Sequence, residues 1–540
     1  MQLRFSLVAR FCGVFIAFAS VSALADEASL NAGLDGLKSS NFRTKAEAVS
    51  QIAESGEDAV QSILRALLDG GLYLRRQDDR IVIATEGASG LEITDAASGA
   101  ALDGAEKSEL KKIFINNQMR VALRGALARL SLRAADPKAR QLAVESLFNS
   151  LNSDTVELLR ASLIEERNAD VQRALATALA LADLESADRE RRRSAIDALS
   201  GSTYSVVRNR LGAMASPDSD GESDPELRRA AAAAVADIDR TRGLFSLVET
   251  VFFGLSLGFV LVLAATGLAI TFGVMGVINM AHGELIMIGA YTTWVVQQAM
   301  PGHLELSLFA AIPAAFLTSA LVGVAIERGV VRFLYGRPLE TLLATFGVSL
   351  ILQQTVRSIF SPLNRAVSTP AWMSGQMVVN DALAFTYNRL YIIVFAILVF
   401  LALEAILRFT TLGLQVRAVA QNRDMARAMG VRGGWIDAFT FGLGSGVAGL
   451  AGVALSQLTN VGPNLGQSQI VDSFMVVVFG GVGNLWGTLV AGLSLGVANK
   501  FLEPFAGAVL AKIFVLIFII LFIQRRPHGL FPQHGRAAEA

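Results

Sequence analysis

Cysteine is almost absent from this chain of 540 residues, and the single one, Cys12, lies in a segment that resembles a secretory signal. An apolar run over 11–19 is followed by a small-x-small site at 23–25, which predicts a signal peptide over 1–25 with cleavage before Asp26. An uncleaved anchor helix is the alternative interpretation. A chain that begins at Asp26 has no thiol, which excludes disulfides and thiolate chemistry.

Histidine and phosphate-binding glycine loops are also scarce. The four histidines (His282, His303, His528 and His534) show no metal-ligand spacing, and no nucleophile–base set is apparent. No G-x-x-x-x-G-K-[ST] motif occurs, so the chain has no Walker loop for ATP phosphates. We therefore expect neither an enzyme nor a bound cofactor or metal, and energy for any transport must come from another subunit or an ion gradient.

Charge is unevenly distributed along the chain. Residues 26–243 contain 29 basic and 35 acidic residues, whereas the longer stretch 244–540 contains 16 and 12. With 53% hydrophobic residues overall, the second stretch is too apolar for a soluble domain. The sequence therefore predicts a secreted domain over 26–243 and a membrane domain over 244–540.

The domain over 26–243 is predicted to be built from helices that begin at aspartates. Asp136, Asp170, Asp188 and Asp224 each precede an alanine- and leucine-rich segment, where a carboxylate can cap the first helical turn. Their spacing resembles the two-helix units of a HEAT or armadillo α-solenoid, and Leu72–Thr94 alternates like a small β-hairpin. Such a domain presents a surface to a partner or serves as a spacer. Its net acidity argues against nucleic acid.

The membrane domain is predicted to be an all-α bundle with about eight crossings of the lipid bilayer. The apolar stretches lie near 247–271, 284–300, 306–327, 341–360, 390–407, 435–458, a broken pair at 470–500, and 506–523. Arginines cluster at 328–337, 408–432 and 525–526, and the positive-inside rule places these three loops in the cytoplasm. An extracytoplasmic N-terminal domain fits that orientation if 470–500 is re-entrant.

Two glycine-rich interruptions divide the apolar segments. Residues 272–276 followed by 283–285 parallel residues 479–483 followed by 487–489. Paired broken helices predict an inverted repeat with a substrate site near the midplane. Close helix contacts are the simpler explanation for such glycines.

Polar residues within these apolar segments are the candidate substrate pathway, because polar groups are costly in a membrane. They suit a small uncharged polar solute, although bundle hydrogen bonds or, for His282 and Glu284, a membrane-edge pair would also explain them. The predicted pathway residues are Asn279, His282, Glu284, Thr345, Gln353, Asn484 and Thr488.

The segment 411–432 is too polar to span the membrane. Val419, Met425, Ala426 and Met429 are predicted to share one face of a short cytoplasmic helix, with arginines on the other faces. Such a helix would dock on a partner protein or lie on lipid headgroups.

The chain resembles the branched-chain amino-acid/urea family of ABC permeases over about 244–530. The resemblance rests on residues 273–285 (GVMGVINMAHGEL) and on Asp424-Met425-Ala426-x-x-x-Gly430, which is similar to the ATPase-contacting E-A-A-x-x-x-G loop of ABC importers. It implies a coupling element that includes Arg417, Asp424, Met425, Ala426, Met429 and Gly430. Asp424 and Met425 depart from that pattern.

The long N-terminal extension and residues 339–354 are similar to the urea-importing branch of that family. The resemblance implies an inner-membrane importer subunit for urea, with a branched-chain amino acid or short amide as the alternative. It also implies a second permease subunit, two cytoplasmic ATPases, a periplasmic solute-binding protein and membrane lipid as partners. A passive channel and a membrane sensor are the rival classes.

Overall fold

The computed structural model describes residues 29–39, 41–55, 59–87, 90–102, 109–217 and 221–531. The predicted signal peptide and its cleavage site lie outside these residues. The chain divides into two compact units, Met1–Thr241 and Arg242–Ala540.

The first unit begins with three helices and a small antiparallel sheet. The helices are α1 (29–37), α2 (Phe42–Glu54) and α3 (Val60–Asp69). The strands are β1 (Leu72–Arg75), β2 (Arg80–Gly87), β3 (Gly90–Asp95), β4 (Ala101–Leu102) and β5 (Leu110–Lys112), in the order β4-β3-β2-β1-β5. The predicted hairpin is therefore part of a five-stranded sheet within the described residues, which is more strand structure than was predicted for this otherwise helical unit. Strands as short as β4 and β5 carry too little alternation to be recognised.

Helices form the rest of the first unit. They are α4 (Asn117–Ser131), α5 (Pro137–Leu147), α6 (Ser153–Glu165), α7 (Ala169–Asp183), α8 (Arg189–Leu199), α9 (Ser205–Ala215) and the first part of α10 (Pro225–Met275). The carboxylates of Asp136, Asp188 and Asp224 accept the predicted N–H bonds at helix starts, at 2.8–3.1 Å. Asp170 instead lies in the first turn of α7, because Asn168 caps that helix.

The helices of the first unit repeat as a group of three. Arg140 on α5 binds Glu166 with two guanidinium nitrogens and the carbonyls of residues 134 and 135 with the third. Arg192 on α8, 52 residues after Arg140, binds Glu222 and the carbonyls of residues 186 and 187 in the same way. The repeating unit thus contains three helices, whereas the aspartate spacing predicted two. A superhelical stack of such units stays a prediction.

The second unit is helical apart from one two-stranded sheet. Its elements are the rest of α10, α11 (His282–Ala299), α12 (Leu304–Gly329), α13 (Pro338–Phe360), β6 (Gln376–Asn380), β7 (Leu383–Thr386), α14 (Tyr387–Phe409), α15 (Thr411–Gln421), α16 (Arg423–Ala428), α17 (Gly433–Ser456), α18 (Leu465–Gly480) and α19 (Leu485–Arg525). Helices α11 and α17 lie at its centre, since most of their side chains are buried.

Six helices within the described residues are long and apolar enough to cross a membrane, rather than the predicted eight: α10, α12, α13, α14, α17 and α19. Helix α11 carries His282, Glu284 and Gln297 and does not qualify, and α18 is only 16 residues long. The predicted stretches 485–500 and 506–523 merge into α19, which is kinked where Gly507 leaves helical geometry. The count differs because α11 is too polar and α18 too short to qualify, and because the last two predicted stretches form one helix.

Glycines bring the central helices of the second unit into backbone contact. A Cβ on Gly289 of α11 would overlap the backbone of Gly449 on α17, and a Cβ on Gly283 would overlap the carbonyl of Gly466 on α18. Small residues allow this close approach, which supports helix association where burial from water is not available. The contacts place the start of α11 against α18 and its middle against α17.

Candidate functional site

A polar stripe runs along one face of the membrane-crossing helix α13. Thr341, Thr345, Ser349 and Gln353 follow one another at four-residue spacing and are all buried. The other side of the helix exposes leucines and isoleucines at 339, 343, 350, 351 and 359. Residues four apart share one face of a helix, so the stripe faces the protein interior while the apolar side is left for lipid.

The glycine-rich break before α11 packs against this stripe. The chain turns at Gly276, whose φ of 65° is in the left-handed region. The backbone N–H of Met280 then donates to Thr345 Oγ1 at 3.1 Å. Asn279 accepts the N–H of Ala281 at 3.0 Å, and its buried Nδ2 has no partner among the described residues. The structure therefore brings Asn279 and Thr345 to the same end of the stripe.

His282 and Glu284 occupy the first turn of α11 and are both buried. His282 Nε2 lies 2.7 Å from the carbonyl oxygen of Ala264 on α10. Glu284 Oε1 accepts hydrogen bonds from Gln353 Nε2 at 2.7 Å and from Ser349 Oγ at 3.0 Å. Glu284 Oε2 has no partner in the described part of the chain. Glu284 and Gln353, both predicted pathway residues, are thus in direct contact.

The second glycine-rich break lies between α18 and α19. Gly481 and Gly483 both have positive φ, and Gly483 abuts the backbone of Gly273 on α10. The two predicted interruptions therefore meet in the fold. Asn484 caps α19 by accepting the N–H of Gly487 at 3.0 Å, and Thr488 donates to the Asn484 carbonyl at 3.0 Å. These bonds are local and do not join Asn484 or Thr488 to the Glu284 cluster.

The predicted coupling segment folds as two short helices instead of one. Asn422 is extended and caps α16, which separates α15 from α16 and redirects the chain. Val419 and Ala426 are buried together with Val416 and Ile436. Met425 and Met429 are 61% and 79% exposed. The prediction that these four residues share one face is therefore wrong, because the break at Asn422 was not recognised.

A buried ion pair attaches α16 to the membrane helices. The Arg423 guanidinium makes two hydrogen bonds to the carboxylate of Asp437 on α17, at 2.6 and 3.0 Å, and Asp437 is 1% exposed. The same guanidinium lies over the ring of Tyr335 at 4.9 Å. Tyr335 donates to Glu327 of α12 at 3.1 Å. Burial raises the pKa of Tyr335 well above its usual range, so its hydroxyl remains a donor.

Several of these residues were missed at the sequence level. Ser349 and Thr341 complete the stripe, and the four-residue spacing from Thr341 to Gln353 was the available signal. Glu327, Tyr335 and Asp437 belong to three separate segments, so no local pattern connects them to Arg423. Within the described residues, no group of three or more histidine, cysteine, aspartate or glutamate side chains is arranged to hold a metal ion.

Comparisons with known proteins place the second unit in a family. The branched-chain amino acid transport system / permease component family matches residues 250–523, just over half of the chain. The chain belongs to this permease family. Residues 1–249 lie outside the match.

The curated relatives agree with this assignment. The permease protein BraD of a high-affinity branched-chain amino acid transport system in Pseudomonas aeruginosa is 30% identical over 287 residues, 51% of this chain and 93% of BraD. The corresponding protein LivH of Escherichia coli is 29% identical over 295 residues, 52% of this chain and 94% of LivH. No solved structure matches the chain. The expectation of a membrane permease rather than an enzyme is confirmed.

Proposed function

We propose that this permease is a subunit of an ABC importer for branched-chain amino acids. The observation that carries the proposal is the family match over 250–523, together with relatives named for branched-chain amino acid transport. This substrate replaces urea, the first choice from the sequence. That choice depended on the N-terminal extension, which lies outside the family match, and on residues 339–354, which lie within a match to a branched-chain amino acid family.

Substrate uptake tests the proposal directly. Cells that depend on this chain should accumulate labelled leucine, isoleucine and valine, and deletion of the chain should abolish that uptake. Labelled urea in the same cells is the matched comparison. Urea uptake that depends on the chain, without leucine uptake, would reverse the substrate assignment. Leucine uptake that persists after loss of ATPase activity would favour a passive channel.

The proposed substrate pathway follows the polar stripe of α13 and the two glycine breaks. Its first-half members are Asn279, His282, Glu284, Thr345 and Gln353, and the direct contacts between them support their acting together. Asn484 and Thr488 would contribute from the second break, and the contact between Gly273 and Gly483 supports a pathway that includes both breaks. Asn279 and Asn484 also accept hydrogen bonds from backbone N–H groups. Replacement of either residue therefore removes a local backbone contact as well as a proposed contact with the substrate.

The proposed coupling element is the pair of helices α15 and α16, docked on a separate ATPase subunit. Three apolar side chains there, Leu414, Met425 and Met429, are more than half exposed. Arg417, Asp424, Ala426 and Gly430 complete the element, and the Arg423–Asp437 ion pair would pass its motion to α17. Two such ATPases, a second permease subunit and a periplasmic binding protein would complete the assembly.

The proposed orientation places the arginines of 328–337, 408–432 and 525–526 in the cytoplasm and the first unit in the periplasm of an inner membrane. The distribution of arginine supports it through the positive-inside rule. Mass spectrometry of the purified chain should give an N-terminus at Asp26, and external protease should cleave the first unit in spheroplasts. Retention of Cys12 would show an uncleaved anchor, and protection of the first unit would reverse the orientation.

A further inference from the structure

The carboxylate of Glu284 is buried but only partly satisfied by hydrogen bonds. Its side chain is 1% exposed, and two neutral donors, Ser349 and Gln353, hold Oε1. Oε2 has no hydrogen-bond partner in the described part of the chain. A buried acceptor without a partner is destabilising, and more so when it is charged. An unused carboxylate oxygen is therefore a strong site for a cationic hydrogen-bond donor.

The open oxygen of Glu284 faces the start of helix α18. A Cβ added to Gly466 would lie 2.6 Å from Oε2, so the oxygen points at a position where this chain has no side chain. Gly466 also crosses Gly283 with backbone-to-backbone contact. The start of α18 thus covers Oε2 directly, and only a movement of α18 away from α11 would expose it.

A cationic group flanks the same end of α18. Arg357 lies four residues after Gln353 on α13, about 6 Å further along the helix axis. Its guanidinium donates to Asn464 Oδ1 at 2.8 Å, and Asn464 immediately precedes α18. Glu284 therefore faces Gly466 in the first turn of α18, and the half-buried Arg357 contacts Asn464 just before that helix.

We propose that Glu284 and Arg357 form a zwitterion site at the junction of α11, α13 and α18. Glu284 Oε2 would bind the α-ammonium group of an amino acid, and Arg357 would bind its carboxylate. This inference rests on the proposed function and names the two charges that the substrate must carry. The start of α18 covers the site, and its displacement admits or releases the amino acid. A neutral solute such as urea gains nothing from either charge.

Glu284→Gln tests the ammonium contact, because it keeps the shape of the side chain and its contacts with α13 while removing the negative charge. We expect leucine uptake at subsaturating concentration to fall at least about tenfold, the usual effect of losing a charge-assisted hydrogen bond. Glu340→Gln on the same helix α13 is the matched control, since Glu340 is exposed and forms a surface ion pair with Arg337 at 3.1 Å. The control should transport leucine as the unsubstituted protein does.

Arg357→Gln tests the carboxylate contact independently of the buried glutamate. We expect a similar loss of leucine uptake with unchanged abundance of the chain in the membrane, measured by immunoblot. It also serves if Glu284→Gln fails to accumulate. Normal leucine uptake by Glu284→Gln, or by Arg357→Gln, overturns the zwitterion site. Absence of leucine uptake in the unsubstituted protein overturns instead the proposed function, so the two failures are distinguishable.

Discussion

Each of the two units of this chain is stabilised internally by a different kind of contact. In the first unit, separate cores of mainly leucine, isoleucine, valine and alanine side chains lie beneath a charged surface, and only four large apolar side chains among its described residues are exposed. In the second unit, dozens of large apolar side chains are exposed, and backbones meet at glycines in the interior. The first unit therefore packs through apolar side chains and the second through close backbone contacts.

The two units pack differently because the first is surrounded by water and the second by lipid. In the first unit, burial of apolar side chains provides the free energy that brings helices together. In the second unit, lipid is as apolar as the side chains, so close packing and interhelical hydrogen bonds must hold the helices. Polar side chains are consequently exposed in the first unit and concentrated inside the second, where Glu284, Glu327 and Asp437 are all buried.

The largest effect is expected from adding one methyl group between α11 and α17. Gly289→Ala places a Cβ inside the backbone of Gly449, which cannot move without separating two central helices. We expect the second unit to lose its fold and the chain to disappear from the membrane. Gly347→Ala on α13 is the control, because a Cβ there meets no atom of the described residues within 4 Å. Equal abundance of the two variants in the membrane would contradict glycine packing as the basis of the second unit.

The next effect concerns two ion pairs of the second unit that differ in burial. Arg423→Met leaves the carboxylate of Asp437 buried without its partner, at a cost of about 3–5 kcal/mol. Arg427→Met removes an exposed pair with Asp424 and should change stability by less than about 0.5 kcal/mol. Thermal unfolding of the purified permease in detergent measures both. A small effect of Arg423→Met would show that α16 is held by apolar packing alone.

The third prediction asks whether the surface formed by Met425 on α16 and Met429 just after it contacts a protein or lipid. Met425→Glu and Met429→Glu would bury a charge against the ATPase, so we expect at least a tenfold loss of the motor subunit that co-purifies with the permease. Gln421→Glu is the control at an exposed neighbouring position. If the methionine variants retain the motor and couple hydrolysis to uptake as the control does, α16 lies on lipid headgroups instead.

The smallest expected effect is the loss of stability of the first unit at acidic pH. Hydrogen bonds from Arg140 lower the pKa of Glu166 from 4.5 to about 2. The unfolded chain therefore binds this proton more readily, and the stabilisation, about 1–2 kcal/mol, is complete above about pH 5 and lost as the pH falls toward 2. Glu166→Gln should remove that pH dependence in hydrogen exchange of α5–α7, whereas Glu165→Gln, at an exposed position, should retain it.

The sequence by itself determined the features that depend on local pattern. Runs of apolar residues gave the membrane helices, aspartates at 136, 188 and 224 gave three helix starts, and the motifs at 273–285 and 424–430 gave the permease family. Each of these signals lies within a few consecutive residues. Glu284 and Gln353 were selected individually for the same reason, since a polar residue in an apolar segment is visible without its neighbours.

Only the tertiary structure decided which of these residues meet. Glu284 and Gln353 are 69 positions apart, and their hydrogen bond exists because Gly283 and Gly289 allow α11 to reach the centre of the bundle. The bounds of the helices also gave six apolar spans rather than eight, because α11 is too polar, α18 has only 16 residues, and the stretches 485–500 and 506–523 merge into α19. Local patterns record whether a residue prefers water or lipid, but the partners of a buried polar group depend on how whole helices pack, and that geometry alone left one oxygen of Glu284 open.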